Sequence, residues 1–426
     1  SSIESLILRG SIPPGTHLPA IRSQARKLGV SPATVAAAYR ALHQRGMVSA
    51  QRRRGTIVNP APPIITRPAT SVPSGARNLA AGNPDSAFMP PIASLLRGLN
   101  PAPRRYGERA NRADLLRLAA GRFEADGIPA APIAVVGGAM DGIERVLGAH
   151  LRAGDMVAVE DPGYSSVFDL VRALGLGIVP VAVDNDFGLL PHELARTLGG
   201  GRVSALIVTP RAQNPTGAAL NSNRASELRK IIRRHPEVLL IEDDHAGSVA
   251  GVPAITLCDG SSARWAVIRS VSKSLGPDLR VALVTGDELT IGRVEGRQSL
   301  GTGWVSHILQ ALVVAMWSDA AVERMAARAA EAYSARRRIL IAALGRHGIA
   351  AYGRSGLNVW IPVAEEVPVV QSLLDSGWAI AAGERYRIRS APAVRITVTE
   401  LASSEIDRLA ADIAKALAPH QISRSA

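Results

Sequence analysis

The chain has 426 residues and a formal charge of +13; 47% of its residues are hydrophobic, 20% are charged, and Cys258 is the only cysteine. That is enough chain for more than one domain with a sizeable core, and too apolar for a disordered protein. One cysteine excludes an intrachain disulfide, no apolar run is long enough to span a bilayer, and the first residues are not signal-like, so a cytoplasmic location and no metal site are expected.

The charge is uneven. Between Ser1 and Pro60 the only acid is Glu4, against Arg9, Arg22, Arg26, Lys27, Arg40, Arg45, Arg52, Arg53 and Arg54. So basic a segment suggests a polyanionic partner, most simply double-stranded DNA; the plainer alternative is a solvated basic face. Residues 18–28 read as a short amphipathic helix and 29–31 as a turn. Residues 32–42 read as a second helix with Ser31 at its N-cap and Pro32 at its first position, which makes a helix-turn-helix. Val35, Tyr39 and Leu42 are read as its core face, and Arg40 as either an outer-face contact or a solvated side chain. Residues 46–58 form two short apolar strands around an arginine-rich hairpin, the pattern of a wing. Repeated proline makes 59–77 a semi-extended linker.

From Asn78 onward short apolar strands alternate with helical segments, at 133–136, 156–159, 205–208, 238–241, 266–268 and 281–284. Such alternation predicts a mainly parallel α/β sheet covered by helices on both faces, which binds ligands at the carboxyl ends of its strands. The first of these strands runs into Gly137, Gly138, Ala139 and Met140 and then a helix, whose free amides can hold a phosphate. Later strands lead into the turn Asn214-Pro215-Thr216-Gly217, the acids Glu242, Asp243 and Asp244, and Ser270, Lys273 and Arg280. The chain has only four lysines, Lys27, Lys230, Lys273 and Lys415. Arginine could not replace Lys273 in attacking an aldehyde, because its guanidinium stays protonated. A pyridoxal phosphate site needs such a lysine, a carboxylate for the pyridine nitrogen, and donors for the phosphate and the ring oxygen. Taken singly, each has a plainer reading: a surface lysine, acids capping a helix, a common turn. From about 320 to 418 the pattern is a smaller α+β lobe, with helical spacing over 320–344, strands at 357–361 and 393–399, and a closing helix over 403–417.

The order Asn-Pro-x-Gly, acidic strand end, Ser-x-x-Lys and arginine resembles the fold-type-I aminotransferases. The resemblance implies that Lys273 forms a Schiff base with pyridoxal 5′-phosphate, that Asp243 rather than Asp244 pairs with the pyridine nitrogen, and that Asn214 donates to the ring oxygen. Ser270 and Arg280, with Gly138, Ala139 and Met140, would bind the phosphate. Tyr164 would stack on the ring, with plain packing as its alternative, and Arg395 would clamp a substrate or effector carboxylate. Tyr106, followed by Gly107, resembles the tyrosine that reaches the phosphate of the neighbouring subunit, which implies a homodimer. Two positions depart from the family: His245 stands where a tyrosine usually donates to the ring oxygen, and Asn111 replaces a glycine.

Residues 1–58 resemble the winged-helix domain of GntR-type regulators, in which Arg22, Ser31, Ala33, Thr34 and the wing residues Arg52, Arg53, Arg54 and Gly55 would face DNA. A winged helix at 1–58, a linker at 59–77 and an aminotransferase-like domain at 78–426, with its small lobe from about 320, together resemble the MocR subfamily. That resemblance implies a transcriptional regulator with pyridoxal phosphate, or its adduct with an amino compound, as effector. The segments 241–245 and 265–280 are most similar to a regulator linked to vitamin B6 metabolism. The competing readings are an active aminotransferase with an accessory DNA-binding arm, and a scaffold that only dimerises.

Overall fold

The computed structural model describes residues 3, 6, 7, 11–44, 47–51, 55–59, 72–99, 102–129 and 131–418. Its first elements are β1 (His17–Leu18), the helices Ile21–Leu28 and Pro32–Gln44, β2 (Val48–Gln51) and β3 (Gly55–Val58). Gly29 ends the first helix with φ of 65°, a left-handed conformation that glycine adopts without a Cβ penalty. Ser31 Oγ accepts from the Thr34 amide at 3.1 Å, so it caps the second helix as the sequence predicts. Val35, Tyr39 and Leu42 are buried with Leu18, Ala25, Val48 and Val58 in one small core, and the Tyr39 hydroxyl donates to the Pro19 carbonyl at 2.9 Å. β3 pairs antiparallel with β2, as expected of a wing, and also with β1. A strand of two residues is too short to show a period, so β1 was not legible in the sequence. Arg52, Arg53 and Arg54 lie outside the described residues, as does the side chain of Arg40.

The chain continues through β4 (Arg77–Asn78), β5 (Ile133–Val136), β6 (Met156–Asp161), β7 (Gly177–Asp184), β8 (Gly188–Leu189), β9 (Val203–Val208), β10 (Leu239–Asp244), β11 (Trp265–Ser270) and β12 (Ala282–Gly286). Among the described residues the large sheet has the order β5-β12-β11-β10-β9-β6-β7-β8. The run from β11 to β7 is parallel, whereas β12 is antiparallel to both neighbours and β8 to β7. Side chains of one strand alternate between two buried layers: Leu240, Val267 and Leu283 join one core, while Ile241, Ile268 and Val284 join the other. The helices Ala113–Ala125, Pro191–Gly199, Ser222–Ile232 and His307–Trp317 cover the first layer. Ala139–His150, Ser165–Ala173 and Glu288–Ser299 cover the second. Several strands run further than their apolar stretches suggest. In particular, β10 continues through Asp244, so Asp243 lies within its carboxyl end rather than after it.

The last part holds the helix Ala320–Arg346, β13 (Asn358–Pro362), the helix Glu366–Asp375, β14 (Trp378–Ala379), β15 (Ala381–Ala382), β16 (Ala393–Thr397) and the helix Ile406–Leu417. β16 lies antiparallel between β13 and β15. β14 pairs in parallel with β4, so Arg77, which the proline pattern assigns to the linker, sits opposite Trp378. Among the described residues no helix is long and apolar enough to cross a membrane. Ser31→Ala should remove the cap and destabilise the second helix by about 1 kcal/mol. Faster amide hydrogen exchange over Pro32–Gln44 would register that loss.

Candidate functional site

The carboxyl ends of the parallel strands open into a cleft of about 890 Å³, within the span of about 300–1,000 Å³ common for small-molecule sites. The acids at the end of β10 divide sharply. Asp244 is gripped at both oxygens by Arg211, with two contacts of 2.8 Å, and again by Arg269 Nε at 2.7 Å. Burial alone would raise its pKa, but the two guanidiniums hold it well below the usual carboxylate range. Asp126, 2.7 Å from Arg269, completes this cluster. Asp243, on the opposite face of the pleat, lines the cleft, and its buried Oδ1 has no partner among the described residues. Burial, and then the charge of Asp244, push it up to about 7. Glu160, at the end of β6, is likewise buried with a free Oε1, and burial pushes it up to about 8.

Lys273 Nζ donates to the Gly82 carbonyl at 2.7 Å. Burial, with Arg395 nearby, lowers its pKa to about 8, which makes it a better nucleophile near neutral pH. Arg395, on β16, is 3% exposed; it donates to Asn214 Oδ1 at 2.9 Å and to the Ala80 carbonyl, and its Nε has no partner among the described residues. Because Asn214 accepts through Oδ1, its amide group remains to donate into the cleft. His245 also lines the cleft, where burial and the charge of Lys273 push its pKa down to about 4, leaving a neutral imidazole. Tyr164 precedes the helix Ser165–Ala173 and is partly exposed at the cleft wall.

At the other end, Gly138 has φ of 105° and begins the helix Ala139–His150. A Cβ there would stand 2.6 Å from Arg280 Nη2, so glycine is what lets this guanidinium approach the helix start. Arg280 donates to the Gly137 carbonyl at 3.2 Å, and Ala139 and Met140 present first-turn amides, which have no partner within a helix. Ser270 Oγ donates to Ser272 Oγ at 3.0 Å, and both serines line the cleft.

The structure does not bring Tyr106 into the cleft of its own chain. It is 92% exposed and meets the Trp304 ring edge-on at 5.5 Å. Asn111 donates to Glu295 at 2.8 Å and does not adopt a positive φ, so the missing glycine causes no strain. Arg22, Ser31, Ala33, Thr34 and Gly55 are all exposed on the N-terminal domain. Sequence reasoning missed Ala80, Gly82, Thr209, Ser272, Asn358 and Tyr386, which also line the cleft. Only Ser272 had a local signal, in the Ser-Val-Ser-Lys run. Asp244→Asn should leave Arg211 and Arg269 with too little counter-charge and lower stability by about 3–5 kcal/mol in denaturant unfolding. Asp243→Asn should cost far less.

Residues 78–413 match the family model "Aminotransferase class I and II", and residues 1–58 match "Bacterial regulatory proteins, gntR family". The chain is 38% identical, over 98% of its length and 97% of the relative's, to the vitamin B6 salvage pathway transcriptional repressor PtsJ of Salmonella typhimurium. It is 30% identical, over 80% of its length and 77% of the relative's, to the HTH-type pyridoxine biosynthesis transcriptional regulator PdxR of Corynebacterium glutamicum. An archaeal alanine:glyoxylate aminotransferase structure shares the fold with a TM-score of 0.73, covering 80% of this chain and 90% of that one at 20% identity. The chain therefore belongs to the aminotransferase class I and II family and, with its GntR domain, to the MocR-type DNA-binding transcriptional regulators, whose aminotransferase-fold domain binds pyridoxal 5′-phosphate.

Proposed function

We propose that this chain is a homodimeric cytoplasmic regulator of vitamin B6 metabolism that reads pyridoxal phosphate, or its adduct with an amino compound, in the cleft at Lys273. The observation that carries the reading is the pairing of two unusual groups in one cavity: a lysine with a depressed pKa and a buried carboxyl group, Asp243, with an unpartnered oxygen. These are the groups an aldehyde and a basic ring nitrogen require, so the residues fit the cofactor. When bound, pyridoxal phosphate supplies an aldehyde that couples reversibly to amines and a ring that withdraws electrons.

Each side chain then has a definite task. Lys273 holds the aldehyde carbon, and Asp243 takes up the charge of the ring nitrogen. Asn214 and neutral His245 donate to the ring oxygen, and Tyr164 covers the ring. Arg280, Ser270 and the amides of Ala139 and Met140 hold the phosphate, with Gly138 allowing the close approach. Arg395, whose buried Nε has no partner among the described residues, receives the carboxylate of an amino compound. Tyr106, too exposed to serve its own cleft, is assigned to the cleft of a second copy. In the N-terminal domain the start of the helix Pro32–Gln44, with Ser31, Ala33 and Thr34, enters the major groove. Arg22 and the wing residues Arg52, Arg53 and Arg54, followed by Gly55, meet phosphates. The relatives PtsJ and PdxR, both named for control of vitamin B6 pathways, support the choice of target.

Lys273→Ala should abolish borohydride trapping of pyridoxal phosphate without changing the unfolding curve; label retained by the variant would sink the assignment. Steady release of a keto acid from amino acids would instead make this chain an enzyme first. Operator affinity should fall steeply with salt, and replacing Arg52, Arg53 and Arg54 by Ala should reduce the log–log slope by about 0.9 for every phosphate that is no longer neutralised. An unchanged slope would count against the wing as a phosphate-binding element.

A further inference from the structure

Three arginines follow one another on the helix Ala320–Arg346, in three different surroundings. Arg336 pairs with Asp85 at 3.0 Å, and Arg338 is exposed. Arg337, between them, is 2% exposed and has no carboxylate partner among the described residues. Its guanidinium is ringed instead by uncharged oxygens. Nε donates to the Gly353 carbonyl at 2.9 Å, Nη1 to the Gly356 carbonyl, and Nη2 to Ser334 Oγ at 3.1 Å and the Arg354 carbonyl at 3.4 Å. Burial, and then the charge of Arg338, lower its pKa to about 10, so it is still a cation at neutral pH. Burying a cation without an acid is costly, and an apolar side chain would fill the space without that penalty. Packing alone does not account for Arg337.

What the cation holds is one short loop, and that loop is built against the turn that carries Asn214. Ser355 lies between the carbonyls that Arg337 grips. Its Oγ accepts from the Ala212 amide and donates to the Gly217 carbonyl, and its own amide donates to the same carbonyl at 2.8 Å. The Gly356 amide donates to the Ala250 carbonyl at 2.8 Å, and its Cα lies so close to Ala212 that a Cβ would have no room. Ala212 has a φ of 53°, which a residue other than glycine keeps only where its surroundings impose it. Asn214 follows two residues on, with its Oδ1 fixed by Arg395. We infer that Arg337 is a positioning residue for the cofactor site: by gripping the loop 353–356 it sets the turn 212–217, and so aims the Asn214 amide at the ring oxygen. The inference rests on the assignment of pyridoxal phosphate to the cleft and of Asn214 to its ring oxygen. Arg337 does not line the cleft, so its hold on the site runs through the loop and the turn. Only a guanidinium offers donors on three nitrogens in a rigid fork, which is what a loop with several inward carbonyls requires.

The test uses the full chain loaded with pyridoxal phosphate and reads the pH midpoint at which the visible absorbance of the bound cofactor changes. A donor to the ring oxygen favours its proton-free form, so losing that donor raises the midpoint. Asn214→Ala should raise it by about one unit, the scale of one hydrogen bond to a charged group. Arg337→Met and Arg337→Lys should each raise it by about half a unit or more. Arg337→Met combined with Asn214→Ala should match Asn214→Ala alone, because both act on one contact. Leu340→Ala, fully buried one turn along the same helix, should lower the melting temperature and leave the midpoint in place. Ser355→Ala removes the hydroxyl link while keeping Arg337; it should raise the midpoint too, and it carries the test if the Arg337 variants do not fold. An unmoved midpoint in Arg337→Met, or in Ser355→Ala where that variant stands in, overturns the inference. So does an equal shift in Leu340→Ala, which would mean general loosening, or an unshifted Arg337→Lys, which would make charge at a distance the cause. A chain with no absorbance band dependent on Lys273 overturns the cofactor assignment and this inference together. A normal band that Asn214→Ala shifts and the Arg337 variants do not overturns the inference alone.

Discussion

Two adjacent carboxyl groups at the buried end of a strand cannot both ionise unless counter-charge is supplied, and β10 ends in just such a pair. The structure supplies that charge on one side only. Arg211 and Arg269 converge on Asp244, Asp126 balances the surplus, and Phe123 lies under Arg269 with its ring 4.8 Å from the guanidinium. The cost of burying Asp244 is met by this cluster, which ties β10 and β11 to the helix Ala113–Ala125. Asp243 faces the other way, into the cleft, and its Oδ1 has no partner among the described residues. The pleat of a single strand therefore separates an ion pair that holds the fold from an acid available for binding.

Around that acid the cleft is assembled from segments far apart in the chain. Lys273 reaches back to Gly82, and Arg395 bridges Ala80 and Asn214. The turn that carries Asn214 is itself clamped by the small lobe, since Ser355 Oγ donates to the Gly217 carbonyl at 2.9 Å and accepts from the Ala212 amide at 2.7 Å. A Cβ on Gly217, whose φ is 72°, would stand 2.9 Å from Gly353 Cα, so the glycine closing the Asn-Pro-Thr-Gly turn serves close backbone packing as well as the turn. Displacing the small lobe would disturb Asn214 and Arg395 together.

Much of this was legible in the sequence because its signals are local. The cap at Ser31, the core face of Val35, Tyr39 and Leu42, the apolar strands, and the order of Asn214, Asp243 and Lys273 all depend on residues near one another in the chain. What escaped is non-local or too short. β1, β4, β8, β14 and β15 have two residues each and show no period. The antiparallel course of β12 is set by how its neighbours pack, since its own side chains are as apolar as those of a parallel strand. The proline pattern placed Arg77 in the linker because nothing near it in the chain indicates its pairing with Trp378, far along the sequence. The choice of Asp243 over Asp244 came from family position alone; the arginines that occupy Asp244 come from other strands and loops, where no local signal could reveal them.

The contacts made by residues 80 and 82 are of a kind that leaves little trace in protein sequences. Both are main-chain carbonyls, so any residue at position 80 could offer its oxygen to Arg395. At 82 the restriction is steric: φ is 70°, and a Cβ would come within 3.4 Å of Arg395 Nη2. At 80 the contact can thus outlast a change of side chain, whereas at 82 it depends on glycine. The stretch joining the DNA-binding arm to the cleft can therefore change at position 80 and keep its hold on Arg395, while its hold on Lys273 depends on the glycine at 82.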